Sequence, residues 1–287
     1  MENLCNLSVV KDVLERHHFN FSKSLGQNFL INPSVCPRIA EDGIRGEHYG
    51  VIEIGTGIGV LTNELAKRAE KVVAIEIDDR LIPILEETLQ EYDNIRIINN
   101  DVMKVDLAKL IAEEFAGMDV CVCANLPYYI TSPIIMMLLE EKLPIRSITV
   151  MVQKEAAARL CAQMGTRECG AVTFAVRYYS DPVQLFPVSR GSFMPAPNVD
   201  SAVIRLEVKQ SPDHQAKDEK FLFRLVKAAF SQRRKTLANP VSGALGIPKS
   251  RIGEALTQIG LKPTARAEEV SFEQFIALAD LLCGEGK

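Results

Sequence analysis

Val51-Ile52-Glu53-Ile54-Gly55-Thr56-Gly57-Ile58-Gly59-Val60 is the stretch from which the fold of this 287-residue chain can be read. Its first four residues have the apolar, β-branched character of a buried strand. The glycines that follow let the backbone turn tightly at the strand end and let a ligand approach without meeting a Cβ atom. Leu61 and Leu65 then fall on one side of a helical stretch. The spacing is Gly-x-Gly-x-Gly, and Val60 stands where the dinucleotide fingerprint has its third glycine. Alone, this loop does not separate a cofactor site from a plain tight turn.

The pattern repeats downstream. Val72-Val73-Ala74-Ile75 reads as the next strand, then a helix with Leu81, Leu85 and Leu89 at four-residue spacing. Ile95 to Ile98, Val120 to Ala124 and Ile148 to Val152 supply three more strands, with helices over Leu107 to Phe115 and Pro133 to Glu141 between them. Strands that are apolar throughout and alternate with helices at this interval predict an α/β, Rossmann-like parallel sheet covered on both faces. Thr173 to Tyr179 and Ser201 to Val208 read as two further strands that close the sheet in antiparallel fashion. Residues 209–217 are polar and form a linker candidate. Beyond them only helical periods appear: Phe221 to Phe230, Arg233 to Ala244, Lys249 to Ile259 and Phe272 to Leu282. Ser271 with Gln274 three residues on has the form of a capping box. The expected division is therefore 1–208, with 1–25 as an N-terminal arm or helix, and a smaller all-helical domain over 209–287.

Composition narrows the class. The chain is 47% apolar and 24% charged, with 17 Gly and 14 Pro, which excludes fibrous and disordered types. Its longest apolar runs, such as Ile134 to Leu139, fall far short of the ~20 residues that span a bilayer. Met1 is not followed by a basic and then apolar segment, so no secretory leader is expected and a cytoplasmic location is. The seven cysteines (Cys5, Cys36, Cys121, Cys123, Cys161, Cys169, Cys283) form no Cys-x-x-Cys pair, and the four histidines are not spaced around them as metal ligands. They read as small core residues, and no metal is expected. His17-His18 reads as a surface feature at a helix end.

Three successive strand ends carry chemistry. After the glycine loop comes Glu76, 21 residues beyond Gly55, where a carboxylate can accept both hydroxyls of a ribose. Asp101 follows the third strand and can accept from an exocyclic adenine amine. Either acid could instead be a simple helix cap, but together with the loop they favour an adenosine-containing cofactor on one rim of the sheet. The fourth strand ends in Asn125-Leu126-Pro127-Tyr128. The Asn oxygen and a backbone carbonyl can hold both hydrogens of a planar amine while Tyr128 stacks on its ring. Such an amine is a poor nucleophile because its lone pair is delocalised. Two acceptors on its hydrogens draw the nitrogen toward a pyramidal shape and free the pair to attack an electrophilic methyl.

With these residues the chain resembles the ribosomal RNA adenine N6,N6-dimethyltransferases, class I S-adenosylmethionine (SAM) methyltransferases, and within them the bacterial small-subunit branch. The resemblance runs nearly end to end. It includes Leu25-Gly26-Gln27-Asn28-Phe29-Leu30, the glycine loop, Glu76, Asp101 and Asn125 to Tyr128, then Gln153-Lys154-Glu155, Phe193 to Ser201, and Gln232-Arg233-Arg234-Lys235-Thr236. It implies that Asn28 and Leu30 close over SAM, that Gly55, Gly57 and Gly59 pass beneath its methionine part, that Glu76 holds its ribose and Asp101 its adenine. Asn125 would serve cofactor and target alike, with Leu126, Pro127, Tyr128 and Phe193 completing the catalytic set. Tyr128 and Phe193 would face the two sides of the target adenine, although Phe193 also fits a plain core aromatic. Tyr129 is assigned no role. The implied substrate is a pair of adjacent adenosines in a loop near the 3′ end of small-subunit RNA, each dimethylated within a pre-30S particle, by a monomer and with no membrane partner.

Net charge is −4, yet residues 220–253 hold eight cations and no Asp or Glu. Arg233, Arg234 and Lys235, read here on a helix, are the expected phosphate contacts, against the plainer reading of a solvated face. Three rivals stay open at this point. A large-subunit adenine methyltransferase of the macrolide-resistance type shares the rim and the Asn-x-Pro-Tyr set. A non-catalytic assembly factor could retain the fold. A nicotinamide-dependent dehydrogenase is disfavoured by Val60 and by the lack of a His or Lys proton donor near the rim.

Overall fold

The computed structural model describes residues 4–22 and 25–284. Helix α1 (Leu7–Arg16) and the two-residue strand β1 (Phe29–Leu30) precede the alternating region. There follow α2 (Val35–Gly43), β2 (Tyr49–Ile54), α3 (Val60–Ala66), β3 (Lys71–Glu76), α4 (Ile82–Thr88), β4 (Ile95–Asn99), α5 (Leu107–Glu114), β5 (Asp119–Asn125), α6 (Thr131–Glu140), β6 (Ser147–Gln153) and α7 (Lys154–Leu160). After α8 (Ala171–Tyr179) come β7 (Ser180–Val188), β8 (Phe193–Met194) and β9 (Ser201–Val208), and the chain ends in α9 (Glu219–Phe230), α10 (Ala238–Leu245), α11 (Lys249–Gln258) and α12 (Phe272–Leu282).

The sheet order is β4-β3-β2-β5-β6-β9-β7. β2 pairs in parallel with β3 and β5, as β3 does with β4 and β5 with β6, while β9 runs antiparallel against β6. The order reverses between β2, at the centre, and β5, so the carboxyl ends of β2, β3 and β5 open a crevice together. All five expected parallel strands form, because residues such as Val51, Val72, Cys121 and Val150 have no exposed surface and must be apolar on both faces. α2 lies on β5 and β6. Arg16 and His17 at the end of α1 reach Glu87 at 2.7 and 2.5 Å, which ties the N-terminal helix to the segment around α4.

Two expectations fail. Thr173 to Tyr179 is not a strand but the body of α8. Its aromatic and β-branched residues favour extended structure locally, but six of its nine residues are buried and packing prevails over propensity. Phe174 and Tyr178, one helical turn apart, stack at 6.1 Å between ring centres. The strand comes just after, as β7, which carries Pro182 and Pro187 and lies at the sheet edge where prolines cost no ladder bond. Arg233, Arg234 and Lys235 are likewise not helical; they occupy a turn between α9 and α10. Pro240 fits only in the first turn of a helix, where its missing N–H has no intrahelical partner. A helix begun at Arg233 would place it in the interior, so α10 begins at Ala238.

The chain separates into two compact units, residues 1–157 with 181–208, and residues 158–180 with 209–287. One boundary falls after residue 208, and 158–180 groups with the C-terminal helices. The reason is α8, whose Phe174 ring lies 4.8 Å from Phe272, 5.6 Å from Phe275 and 6.0 Å from Phe223. No helix among the described residues is long and apolar enough to cross a membrane.

Candidate active site

A cavity opens over the carboxyl ends of β2, β3 and β5. Its floor is the glycine loop. Gly55, Gly57 and Gly59 all take positive φ, at 76°, 55° and 88°, a region from which other side chains are largely barred. Gly55 and Gly57 line the cavity. Gly59 does not; it caps α3, where a Cβ would come within 3.2 Å of Thr88 and Leu89 atoms.

Glu76 ends β3 and is buried against this loop. It accepts from the Thr56 hydroxyl at 3.1 Å, the Gly57 amide at 3.3 Å and the Asp78 amide at 2.9 Å. Burial raises its pKa, and these bonds to the ionised form offset part of the rise. Asp101 accepts from the Met103 amide at 3.0 Å and so caps a short turn, yet it also lines the cavity, where a ligand could reach it.

The N-terminal segment crosses the same opening. Gln27 donates to Asp78 at 2.7 Å and accepts from the Ser22 amide, and Asn28 donates to the Gly26 carbonyl. Asp78 is held below the usual carboxylate range, foremost by its hydrogen bond with Arg80. Leu30 pairs with Phe193 in the β1–β8 ladder, which brings Asn28, Leu30 and Phe193 to one wall. Phe193 is only 4% exposed, so it is a wall of the cavity and a packed aromatic at once.

Asn125, Leu126, Pro127 and Tyr128 also line the cavity. Tyr128 is half-buried, and its hydroxyl lies 2.8 Å from the Ser201 hydroxyl at the start of β9, so the ring is held at its far end. The Pro127 carbonyl already accepts from the Ile130 amide and the Thr131 hydroxyl, both at 3.2 Å. Its lone pairs are occupied, so the backbone acceptor for an amine must be another carbonyl of this set.

Sequence reasoning passed over Glu53. Its carboxyl is wholly buried, lines the cavity, and has no hydrogen-bond partner on either oxygen. Burial pushes its pKa up to about 8. The only available signal was an acid inside an otherwise apolar strand. With Glu76 and Asp101 it makes three carboxyl groups on a cavity whose lining, among the described residues, contains no Lys, Arg or His. Such a lining offers a pyrophosphate no cation among the described residues, which disfavours the nicotinamide-dependent reading, while its carboxyl groups can receive a positively charged donor. Arg233, Arg234 and Lys235 are not part of this cavity; they are exposed in the second unit, where Arg233 bonds the Arg167 carbonyl and lies 3.6 Å from Glu268.

Comparison with known proteins agrees with the geometry. Ribosomal RNA small subunit methyltransferase A of Bacillus mycoides (strain KBAB4) is 49% identical over 286 residues, 98% of each chain, and that of Bacillus cereus (strain AH187) is equally similar. Among solved structures, a dimethyladenosine transferase from Plasmodium falciparum matches with TM-score 0.72 and 27% identity over 87% of this chain and 95% of its own. The 23S rRNA methyltransferase ErmE matches with TM-score 0.69 and 28% identity, over 89% and 99%. Residues 18–283 match the family described as ribosomal RNA adenine dimethylase, and it is to this family that the chain belongs.

Proposed function

We propose that the chain transfers methyl groups from SAM to N6 of two adjacent adenosines near the 3′ end of small-subunit ribosomal RNA, leaving each dimethylated. The observation that carries this reading is the strand-end set Asn125 to Tyr128 on the wall of an anionic cavity. The 49% identity to small-subunit enzymes, against 28% to a large-subunit one, supports the small subunit over its rival. Bound SAM supplies an electrophilic methyl. Gly55 and Gly57 give it backbone without side chains, Glu76 and Asp101 accept from its ribose and adenine, and Asn28 and Leu30 border it from the N-terminal segment.

The chain's own residues do the rest. Tyr128 offers a fixed ring face for an unpaired base, and Phe193 closes the other side. The Asn125 side-chain oxygen and the Leu126 carbonyl accept the two amine hydrogens, localising the nitrogen lone pair. The methylated nitrogen, cationic as its N–C bond forms, gives one proton to water, so a single hydrogen remains after the first transfer and either acceptor suffices to orient it. A loop target suits the site, since unpaired bases cost little to extrude and RNA readers with sequence preference favour single strands. Arg233, Arg234 and Lys235 would contact phosphates in the second unit. We place the reaction in the cytoplasm, on a pre-30S particle, with the enzyme as a monomer. Incubation with separated unmethylated subunits and labelled SAM, followed by mass mapping, should give two dimethylated adenosines in small-subunit RNA; product confined to the large subunit would reverse the assignment.

A further inference from the structure

Glu53 has no part in the scheme above, and it is the most unusual polar group in the cavity wall. It stands in β2, opposite Ala74 of β3 and Cys123 of β5. A buried carboxyl without hydrogen bonds carries the full desolvation penalty of its charge. The groups facing it do little to relieve this. The Thr62 hydroxyl of α3 lowers its pKa without making a hydrogen bond of normal geometry. Cys36 of α2 and Cys123 of β5 are both raised well above the usual thiol value and remain uncharged. Glu76, the nearest charge, is of the same sign and raises it further. No cation among the described residues lines the cavity to compensate.

Resting on the methyltransferase reading, we infer that Glu53 is a proton-linked counter-ion for the sulfonium donor: neutral in the empty pocket, it ionises when the donor enters, and donor binding expels its proton to solvent. SAM carries one net positive charge, whereas the product S-adenosylhomocysteine, a thioether, carries none. Ionised Glu53 therefore favours the donor over the product, and once transfer has removed the sulfonium charge the carboxylate takes a proton back from solvent and is neutral again. Two dimethylations require four donor-for-product exchanges, so such discrimination bears on turnover.

The sign follows from the empty-pocket value near 8. Below it, donor affinity should rise with pH by at most roughly tenfold per unit, and level off above it. The ammonium of SAM also titrates, so the informative quantity is the difference between the native protein and Glu53→Gln. Calorimetry of SAM binding at pH 7, in two buffers of unlike ionisation enthalpy, should show native protein releasing close to one proton more than the variant. S-Adenosylhomocysteine should show a much smaller difference, and sinefungin, with an ammonium in place of the sulfonium, should behave as SAM does. The variant should also lose most of the native preference for SAM over the product. Infrared difference spectra of native protein should show a protonated-carboxyl band vanishing on SAM addition, a readout that holds even if the variant folds poorly. Equal proton counts, or no vanishing band, with SAM still bound would overturn the role of Glu53 and leave the methyltransferase reading intact; failure of native protein to bind SAM would overturn that reading itself.

Discussion

The 2.8 Å contact between the Tyr128 and Ser201 hydroxyls fixes the plane on which a target base can lie. Tyr128→Phe keeps the ring and removes the tether, which at about 1 kcal/mol should lower kcat/KM for RNA roughly fivefold with SAM affinity unchanged. Tyr128→Ala removes the stacking face as well and should cost more, by about 1–3 kcal/mol of base binding. Asn125→Ala takes away an acceptor needed only as the amine reacts, so single-turnover methylation should fall on the order of a hundredfold or further; retained rate with retained RNA binding would exclude this role. Glu53 also predicts a stability profile for the empty protein. Its folded pKa is raised from 4.5 to about 8, so the folded state holds the proton more tightly than the unfolded chain. That preference is fully present below pH ~4.5 and is lost as pH rises through about 8, by on the order of 5 kcal/mol at ~1.4 kcal/mol per unit. Urea titrations should show Glu53→Gln gaining stability relative to native at pH 9 and not at pH 5.

At the scale of elements, the parallel strands and the cavity rim were legible because burial on both faces demands continuous apolar runs, and because Gly55, Glu76 and Asn125 each interrupt or end such a run. α8 was not legible. Phe174, Val176, Tyr178 and Tyr179 favour a strand by composition, and only their packing against Phe223, Phe272 and Phe275 makes a helix the better burial. That information lies in residues some 50 to 100 positions away. Glu53 was hidden for a related reason: its identity is plain in the sequence, but its isolation from every donor is a tertiary property. The turn at Arg233 was within reach, since Pro240 alone rules out a helix spanning both. The aromatic cluster should be the stability centre of the second unit. Phe174→Ala should therefore cost about 3–5 kcal/mol in urea unfolding, while Ser271→Ala, which breaks the cap accepting from Gln274 at 3.2 Å, should cost about 1 kcal/mol.

On the scale of the whole molecule, charge is segregated by role. Among the described residues the cavity is lined by acids and no cations, which suits a sulfonium donor, while net charge is −4 and the cations of residues 220–253 stand without an acid among them in sequence. A protein with this distribution binds RNA through a local field rather than through its net charge. Arg233 is already engaged by Glu268 and the Arg167 carbonyl, so the exposed Arg234 and Lys235 are the better phosphate contacts of the turn. Each phosphate contact adds about 0.7–0.9 to the slope of log affinity against log salt. Arg234→Ala with Lys235→Ala should thus flatten that slope by about 1.5 for small-subunit RNA, with SAM affinity unaltered. Removing two other exposed cations, Lys11 and Lys109, changes net charge equally and should leave the slope as it was. If both double variants flatten it alike, the turn has no special claim on the RNA, and attraction is a property of net charge alone.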